Sequence, residues 1–189
     1  MTQTVPAQDN REVILRVRSL KKVFIFVKKG EVRAIDDISF DIYKGETLGL
    51  VGESGSGKST TGRSIIKLES ITSGEVLYKG QDISKLNGKH EVLEFRKSMQ
   101  MIFQDPFASL NPRIPVKNII GDALRLHNIC ATDAEVNKRV NELLDIVGIN
   151  RCYANRYPTE FSGGQCQRIG IARALCVKPD FIIADECLS

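Results

Sequence analysis

The residues best suited to chemistry form one glycine-rich stretch, Gly52-Glu53-Ser54-Gly55-Ser56-Gly57-Lys58-Ser59-Thr60, called the phosphate loop below. It fits the pattern G-x-x-x-x-G-K-[ST], in which glycines let backbone N–H groups approach phosphate oxygens without a Cβ in the way. The pattern predicts that Lys58 reaches the β- and γ-phosphates of a nucleotide and that the Ser59 hydroxyl binds Mg²⁺. We expect Thr60 to add a hydroxyl or amide donor to the α-phosphate.

The segments on either side of the phosphate loop support this interpretation. Thr47–Val51 is a short apolar run that predicts a buried strand, and Ile65, Ile66 and Leu68 follow on a predicted helix. The N-terminus of that helix carries unpaired N–H groups and partial positive charge, which favour a bound anion. The alternative, a glycine-rich turn with a chance Lys-Ser pair, is disfavoured because strand, loop and helix occur in the expected order.

A second helix start contains a similar arrangement. Ser162 stands where an N-cap belongs, Gly163 and Gly164 follow, and a helix is predicted from about residue 165 to 177. Exposed N–H groups at such a helix start suit an anion. Taken alone, this segment is more simply explained as an ordinary capped helix.

Two carboxylates follow a predicted buried strand near the end of the sequence. The strand is Phe181–Ala184, and Asp185 and Glu186 come directly after it. Ligands of open α/β sheets bind at this carboxyl edge of the strands. One acid can hold Mg²⁺ and the next can orient and deprotonate an attacking water. Two acids after a strand are weak evidence for such a site alone. They are stronger evidence here because a phosphate loop precedes them in the sequence.

The beginning of the sequence is predicted to be rich in β-strands that are partly antiparallel. The predicted strands are 13–17, 20–27 and 32–42, the last one broken around Asp36 and Asp37. Phe24 and Phe26 fall on one side of the second strand. Phe24 is a candidate for stacking on adenine, although the pattern alone favours packing within the sheet.

The middle of the sequence changes from alternating strands and helices to helices alone. A strand at 74–80, a helix at 92–99 and a strand at 101–103 precede a predicted loop at 105–113. The residue pattern from Val116 to about Tyr157 predicts helices. Thr132 and Glu135 form a capping box that opens one helix, and Gly148 ends it. This block is predicted to be a helical subdomain inserted into the core.

Composition narrows the class of protein. The 189 residues contain 42% hydrophobic residues and carry a net charge of +4. The basic residues are spread along the chain, which favours a solvated mixed-charge surface over a nucleic-acid patch. Five cysteines without C-x-x-C spacing argue against a disulfide framework or a zinc site. No apolar run reaches the length that spans a bilayer, so we expect any membrane role to act through a partner.

The ordered set of phosphate loop, Gln104, Ser162-Gly163-Gly164-Gln165-Cys166-Gln167-Arg168 and Phe181–Glu186 resembles the ATP-binding subunits of ABC transporters. The resemblance covers the chain from about Val13 onward, and the segment Ser162–Gln165, called the signature segment below, separates this family from other phosphate-loop NTPases. It implies an α/β fold: a phosphate-loop NTPase core with an N-terminal antiparallel β part and an inserted α-helical subdomain. The implied regions are a disordered N-terminus (1–12), a β-rich and phosphate-loop part (13–104), the helical subdomain (105–160), and the signature helix and final strand (161–189).

The same resemblance implies roles for individual residues. Phe24 stacks on adenine, and Gln104 senses the γ-phosphate and Mg²⁺ and relays this to a membrane subunit. The signature segment contacts ATP held by the opposite subunit. Asp185 binds magnesium and Glu186 is the general base, which assigns the two acids that their position alone leaves open. The implied catalytic residues are Glu186, Lys58 and Gln104; the implied ATP-binding residues are Phe24, Gly52, Glu53, Ser54, Gly55, Ser56, Gly57, Lys58, Ser59, Thr60, Ser162, Gly163, Gly164 and Gln165; the implied Mg²⁺ ligands are Ser59, Gln104 and Asp185.

A narrower resemblance concerns the cargo. Residues 52–63, 103–113 and 168–175 resemble the dipeptide and oligopeptide importer branch, a pattern that nickel and glutathione importers largely share. This branch implies ATP-driven peptide uptake at the cytoplasmic face of the plasma membrane. The implied partners are a second ATP-binding subunit (identical or different), transmembrane permease subunits and, indirectly, a substrate-binding protein, with no nucleic acid.

Three departures from the family pattern carry expectations of their own. Cys166 replaces a usual basic or polar residue, which we expect to remove a positive charge near the partner's phosphates. Cys187 replaces a usual proline, so a less constrained turn is expected. The sequence ends at Ser189, before the family's later aspartate loop and γ-phosphate histidine. We therefore expect ATP binding without cooperative hydrolysis by these residues alone.

Two alternatives to a transporter ATPase follow from the sequence. One is a nucleotide-binding fragment that cannot hydrolyse ATP, which the missing histidine favours. The other is a soluble ABC-type protein of DNA repair or translation. The second is disfavoured because neither a long coiled-coil insertion nor a tandem second cassette is visible.

Overall fold

A computed structural model describes residues 11–26 and 30–186, and the chain divides into two compact units, Met1–Leu86 and Asn87–Ser189. The strands are β1 (Val13–Phe26), β2 (Gly30–Tyr43), β3 (Ser73–Tyr78), β4 (Gln81–Asp82), β5 (Met99–Ile102) and β6 (Phe181–Ala184). The helices are α1 (Lys58–Ile65), α2 (Lys89–Ser98), α3 (Pro106–Ser109), α4 (Val116–Leu126), α5 (Asp133–Ile146) and α6 (Gly163–Leu175), with 3-10 turns at Ile83–Lys85, Arg151–Tyr153 and Pro158–Glu160. Of the predicted disordered N-terminus, all but residues 11 and 12 lies outside the described residues.

The first unit is built on an antiparallel sheet of four strands in the order β2-β1-β3-β4. The antiparallel opening is confirmed, but the strands predicted at 13–17 and 20–27 are one continuous strand. Their boundary is an irregularity in the β1–β2 register, where Ser19 has a φ of 44°. The predicted break in β2 is a similar local feature, since Asp37 has a φ of 57° and the strand continues. Val27 lies outside the described residues.

The buried side of this sheet follows the two-residue period of a strand. Leu15 and Val17 are fully buried, and Val17 lies opposite the equally buried Val76 of β3. Arg16 and Arg18 alternate with them and both contact Asp41 of β2, at 3.3 and 2.7 Å. The hydrogen bond from Arg18 is the main reason that the pKa of Asp41 lies below its ordinary value.

The prediction of a buried strand at Thr47–Val51 is wrong. This segment has no regular secondary structure, and the exposed fractions of Leu48, Leu50 and Val51 are 44%, 49% and 90%. A run of apolar residues becomes a strand only when its backbone pairs with a neighbour. Within the described residues, neither sheet includes this segment.

The second unit has a helical core formed by α4, α5 and α6. Its fully buried residues include Ile120, Leu124, Leu144 and Ile169. The predicted capping box of α5 is confirmed: Thr132 Oγ1 accepts from the Glu135 N–H, and Glu135 Oε2 accepts from the Thr132 N–H. Gly148, with a φ of 67°, follows the helix end as predicted.

A parallel pair, β5 and β6, forms the other sheet, with Met99 opposite Phe181 and Ile102 opposite Ala184. The predicted strand at 181–184 is confirmed, but the prediction that it is buried is wrong, because its residues alternate between half-buried and exposed. Within the described residues β6 has β5 as its sole neighbour in the sheet. The loop predicted at 105–113 contains one helical turn, α3, because Asp105 accepts from the N–H groups of Phe107 and Ala108.

Candidate functional site

The predicted site residues fall into two sets, one in each unit. Phe24 and the phosphate loop belong to the first unit, and Gln104, the signature segment, Asp185 and Glu186 belong to the second. The structure brings Gln104 and Glu186 into direct contact.

The phosphate loop ends in a conformation that requires glycine. Gly57 is the residue before α1 and has a φ of 91°, in the left-handed region that side chains disfavour. A Cβ at this position would also collide with the carbonyl oxygen of Ala34 on β2. Thr61 secures the same turn, because its Oγ1 donates to the Gly57 carbonyl at 2.9 Å. These contacts fix the chain at the start of α1.

Lys58 lies over the loop that precedes it. Its Nζ donates to the carbonyl oxygens of Gly52 at 2.9 Å and Glu53 at 2.8 Å. A Cβ on Gly52 would come within 2.6 Å of Ser56 Oγ, so the loop is closely folded on itself. The ammonium is therefore held beside the exposed loop backbone, where a phosphate group would approach.

The start of α1 is electrostatically suited to an anion. The first turn of α1 contains no acidic residue and carries Lys58, Ser59 and Thr60, all half-buried. By contrast, the first turn of α5 holds Asp133 and Glu135, which neutralise their own helix end. The partial positive charge of α1 is thus available to an external anion.

Phe24 is half-buried on β1 and contacts Phe26 and Lys22. Its ring centroid lies 6.2 Å from that of Phe26, and the Lys22 Nζ lies 4.7 Å from the Phe24 centroid. The prediction that both rings share one side of the strand is confirmed. Lys22 is itself buried and bonds Ser70 at 3.2 Å, so it holds one side of the Phe24 ring in place. Whether the ring also stacks on adenine stays a prediction.

The two acids after β6 differ in their surroundings. Asp185 is buried, with 7% of its surface exposed, and its N–H donates to the Ile102 carbonyl at 3.0 Å. Glu186 is exposed and has a φ of 45°, an unusual left-handed conformation for a residue with a Cβ. Its Oε2 accepts a hydrogen bond from Gln104 Nε2. Strained backbone of this kind is frequent at functional sites.

The signature segment forms a capping box at the start of α6. Ser162 Oγ accepts from the Gln165 N–H at 3.3 Å, and Gln165 Oε1 accepts from the Ser162 N–H at 2.9 Å. The Ser162 hydroxyl keeps its own proton for a second bond. Nothing lies within 4 Å of a Cβ built on Gly164, and α6 has no acidic residue in its first turn. This helix start also suits an anion.

The side chain of Cys166 does not point toward the partner's phosphates, as the sequence had suggested. Its side chain is fully buried and its Sγ donates to the Pro158 carbonyl at 3.3 Å, while burial raises the pKa of the thiol. The expectation of a lost charge near the partner's phosphates is therefore corrected, because in this chain the residue 166 side chain faces the helical core. Cys187 lies outside the described residues.

The residues fit a magnesium ion held mainly by its nucleotide. No group of three or more His, Cys, Asp or Glu side chains that could hold a metal occurs in residues 11–26 and 30–186. Mg²⁺ usually binds one or two protein oxygens together with substrate phosphates and water. In the second unit the Asp185 carboxylate and the Gln104 amide carry oxygen atoms of this type, and in the first unit the Ser59 hydroxyl does.

Three residues that support the predicted site residues within one unit or the other were not themselves predicted. Ala34 and Thr61 shape the turn at Gly57, and Arg173 donates to the Ser109 carbonyl at 2.6 Å. The Thr61 contact could have been anticipated, since a threonine four residues into a helix often bonds a preceding carbonyl. The Ala34 and Arg173 contacts join distant parts of the sequence and leave no local pattern.

Comparison with known proteins defines the family. A profile of the family described as "ABC transporter" matches residues 35–189. The chain therefore belongs to the ABC transporter family, and membership in it implies nucleotide binding.

Curated relatives extend the comparison to almost the whole chain. The oligopeptide transport ATP-binding protein OppF of Bacillus subtilis (strain 168) is 59% identical over 94% of this chain and 58% of its own length. The dipeptide transport ATP-binding protein DppF of Lactococcus lactis subsp. cremoris (strain MG1363) is 53% identical over 93% of this chain and 57% of its own. The chain thus spans somewhat more than half the length of these relatives.

Solved structures confirm the predicted fold class. The dimeric, post-hydrolysis structure of the ATP-binding cassette MJ0796 bound to ADP and Pi has a TM-score of 0.81 and 28% identity. It matches 90% of this chain, which covers 73% of that structure. Among the described residues, none of the helices combines the length and apolar character needed to cross a membrane.

Proposed function

We propose that this chain is the ATP-binding and ATP-hydrolysing part of an importer of di- or oligopeptides. The observation that carries the proposal is the geometry of the phosphate loop. Gly57 is restricted to glycine, the ammonium of Lys58 lies over the loop backbone, and the following helix start lacks acids. Together these features provide backbone donors, a point charge and a helix N-terminus for a chain of phosphates.

The first unit binds and orients the nucleotide in this proposal. Lys58 exchanges its bonds to the Gly52 and Glu53 carbonyls for bonds to the β- and γ-phosphates, which are stronger because both partners are charged. Residues 53–57 and Thr60 donate to the remaining phosphate oxygens. Phe24 stacks on the adenine ring, with Lys22 supporting its side.

The second unit supplies the hydrolytic groups. Glu186 accepts the proton of the attacking water as general base, and Gln104 orients the Glu186 carboxylate through their hydrogen bond. Asp185, Gln104 and Ser59 would hold Mg²⁺. The metal, when bound, neutralises negative charge that develops on the phosphate oxygens. The low exposure of Asp185 suits a metal ligand, because a buried carboxylate requires a cation or hydrogen bonds.

The signature segment acts on a second nucleotide. The start of α6 presents the Ser162 hydroxyl and the N–H groups at Gly163 and Gly164 to ATP held by a second ATP-binding subunit, which is either identical or different. Dimer closure with ATP and reopening after hydrolysis then drive transmembrane permease subunits at the cytoplasmic face of the plasma membrane. A substrate-binding protein delivers the peptide to those permeases.

The peptide cargo is supported by the relatives, whose names refer to oligopeptide and dipeptide transport. Uptake tests the proposal in cells whose peptide import depends on the transporter that contains this chain. Labelled di- and tetrapeptide uptake should be lost in Glu186→Gln and retained in Glu142→Gln, which makes the same charge change on α5. Uptake of nickel or glutathione instead of peptides would overturn the proposed peptide cargo. Equal peptide uptake by both variants would overturn the proposed role of Glu186.

A further inference from the structure

The short helix α3 packs on one face of the signature helix α6, where two glycines leave room for it. A Cβ on Gly163 would lie 3.6 Å from Phe107 Cε2, and one on Gly170 would lie 3.9 Å from Ser109 Oγ. Residues seven apart in a helix share a face. Gly163 and Gly170 therefore form a shallow surface on which Phe107 and Ser109 rest.

Arg173 adds a hydrogen bond to this contact at the C-terminal end of α3. It follows Gly170 by one helical turn, and its Nη1 donates to the Ser109 carbonyl at 2.6 Å across 64 residues of sequence. Carbonyls at the end of a helix have no donor within the helix, so an arginine satisfies one of them here. Arg173 is half-buried, and this burial lowers the pKa of its guanidinium.

The helix α3 connects directly to the residues proposed for hydrolysis. Asp105 caps α3 through the N–H groups of Phe107 and Ala108, at 2.9 and 3.0 Å. Gln104 is the residue before Asp105, and its amide donates to Glu186. A continuous set of contacts thus runs from Arg173 through Ser109 and the capped turn to Gln104.

We propose that Arg173 is a positioning residue that anchors α3 to the signature helix and thereby holds Gln104 against Glu186. Arg173 contacts no reacting atom in this scheme. Its effect on turnover rests on the proposed ATP hydrolysis, whereas its effect on α3 is independent of it. The anchor makes the position of Gln104 depend on the helix that carries the signature segment.

Arg168 provides a matched control on the same helix. Its Nη1 also donates to backbone carbonyls, those of Val147 at 3.2 Å and Gly148 at 3.0 Å, but at the end of α5. Arg168→Met and Arg173→Met therefore remove the same kind of contact from two different elements. Arg173→Lys keeps the charge but loses the planar fork, so it serves as the conservative variant.

Hydrogen exchange of the full chain measures the anchor itself. In Arg173→Met we expect the amides of Ser109 and Leu110, which bond Asp105 and Phe107, to exchange about 10- to 100-fold faster. Arg173→Lys should lie between this variant and the parent, and Arg168→Met should leave these amides unchanged. Equal exchange of α3 in the two Met variants would overturn the anchor. If Arg173→Met does not fold, the comparison of Arg173→Lys with Arg168→Lys decides in the same way.

Turnover measures the positioning role. In the ATPase as it assembles in the cell, Arg173→Met should lower kcat while KM for MgATP stays near the parent value, because the phosphate loop is untouched. Arg173→Lys should recover part of kcat. Faster exchange of α3 with an unchanged kcat would overturn the positioning role. A parent protein without ATP hydrolysis would instead refute the proposed function, and the exchange data would still test the anchor.

Discussion

The Gln104 amide donates a hydrogen bond to Glu186 Oε2, although the two residues are 82 positions apart in the sequence. Parallel pairing of β5 with β6 explains the contact, because Gln104 and Glu186 each follow the end of one strand by two residues. The bond holds one oxygen of the Glu186 carboxylate. It would orient this side chain for the general-base role that we propose.

In the ATPase as it assembles in the cell, Glu186→Gln should keep ATP binding but lower the hydrolysis rate by about 10²–10⁴-fold, the usual effect of losing a positioned general base. Phosphate release under saturating MgATP measures this. Glu142→Gln on α5 is the control and should hydrolyse at the parent's rate. Similar rates in Glu186→Gln and the parent would remove the base role from Glu186.

Ser162→Ala and Thr132→Ala separate capping from nucleotide contact. Both residues cap a helix and belong to a capping box, so each substitution should lower the free energy of unfolding by about 0.5–2 kcal/mol in urea titrations. Only Ser162→Ala should also weaken ATP-dependent association with the second ATP-binding subunit. Equal association in both variants would mean that Ser162 is a cap and nothing more.

Phe24→Ala should weaken ATP binding by about 5- to 150-fold, since stacking of a base on an aromatic ring contributes about 1–3 kcal/mol. Phe26→Ala removes the neighbouring ring and should have a much smaller effect. GTP affinity should fall in parallel, because stacking does not distinguish the bases strongly. Equal losses in the two variants would assign Phe24 to packing within the sheet.

His127 should make stability depend on pH. It is buried at the end of α4, and burial, followed by Lys97, lowers its pKa while Glu94 opposes the shift. The unfolded chain therefore takes up the proton first as pH falls through the ordinary value near 6.5. Stability is complete above that value and declines below it. Tm should fall between about pH 7.5 and pH 5.5.

The control for this prediction is His127→Leu, which has no proton to take up. Its Tm should change less than that of the parent over the same interval. All other titratable groups are the same in both proteins, so the difference between the two Tm profiles reports on His127. An identical pH profile for the two proteins would show that His127 is not the group responsible.

Local chemistry was predictable from the sequence. The glycines of the phosphate loop and the capping residues Thr132 and Ser162 act within a few residues of their own positions, so their patterns are visible along the chain. Hydrophobic periodicity and turn residues likewise located α5, α6 and β6.

Pairing between distant segments was not predictable. Thr47–Val51 has the composition of a strand, but whether a backbone pairs depends on residues far away in the sequence. The exposure of β6 and the bond from Arg173 to Ser109 depend on tertiary packing for the same reason. The direction of the Cys166 side chain is set by the helix face on which residue 166 lies, and the helical core covers that face.

Titration of the chain with MgATP tests the central claim most directly. The parent should bind ATP, and Lys58→Ala should bind at least about 100-fold more weakly, because it loses charge-assisted bonds to the terminal phosphates. Lys85→Ala, which removes an exposed lysine paired with Asp82, should bind like the parent. Equal ATP affinity in the parent and Lys58→Ala would contradict the assignment of Gly52–Thr60 as the phosphate-binding loop.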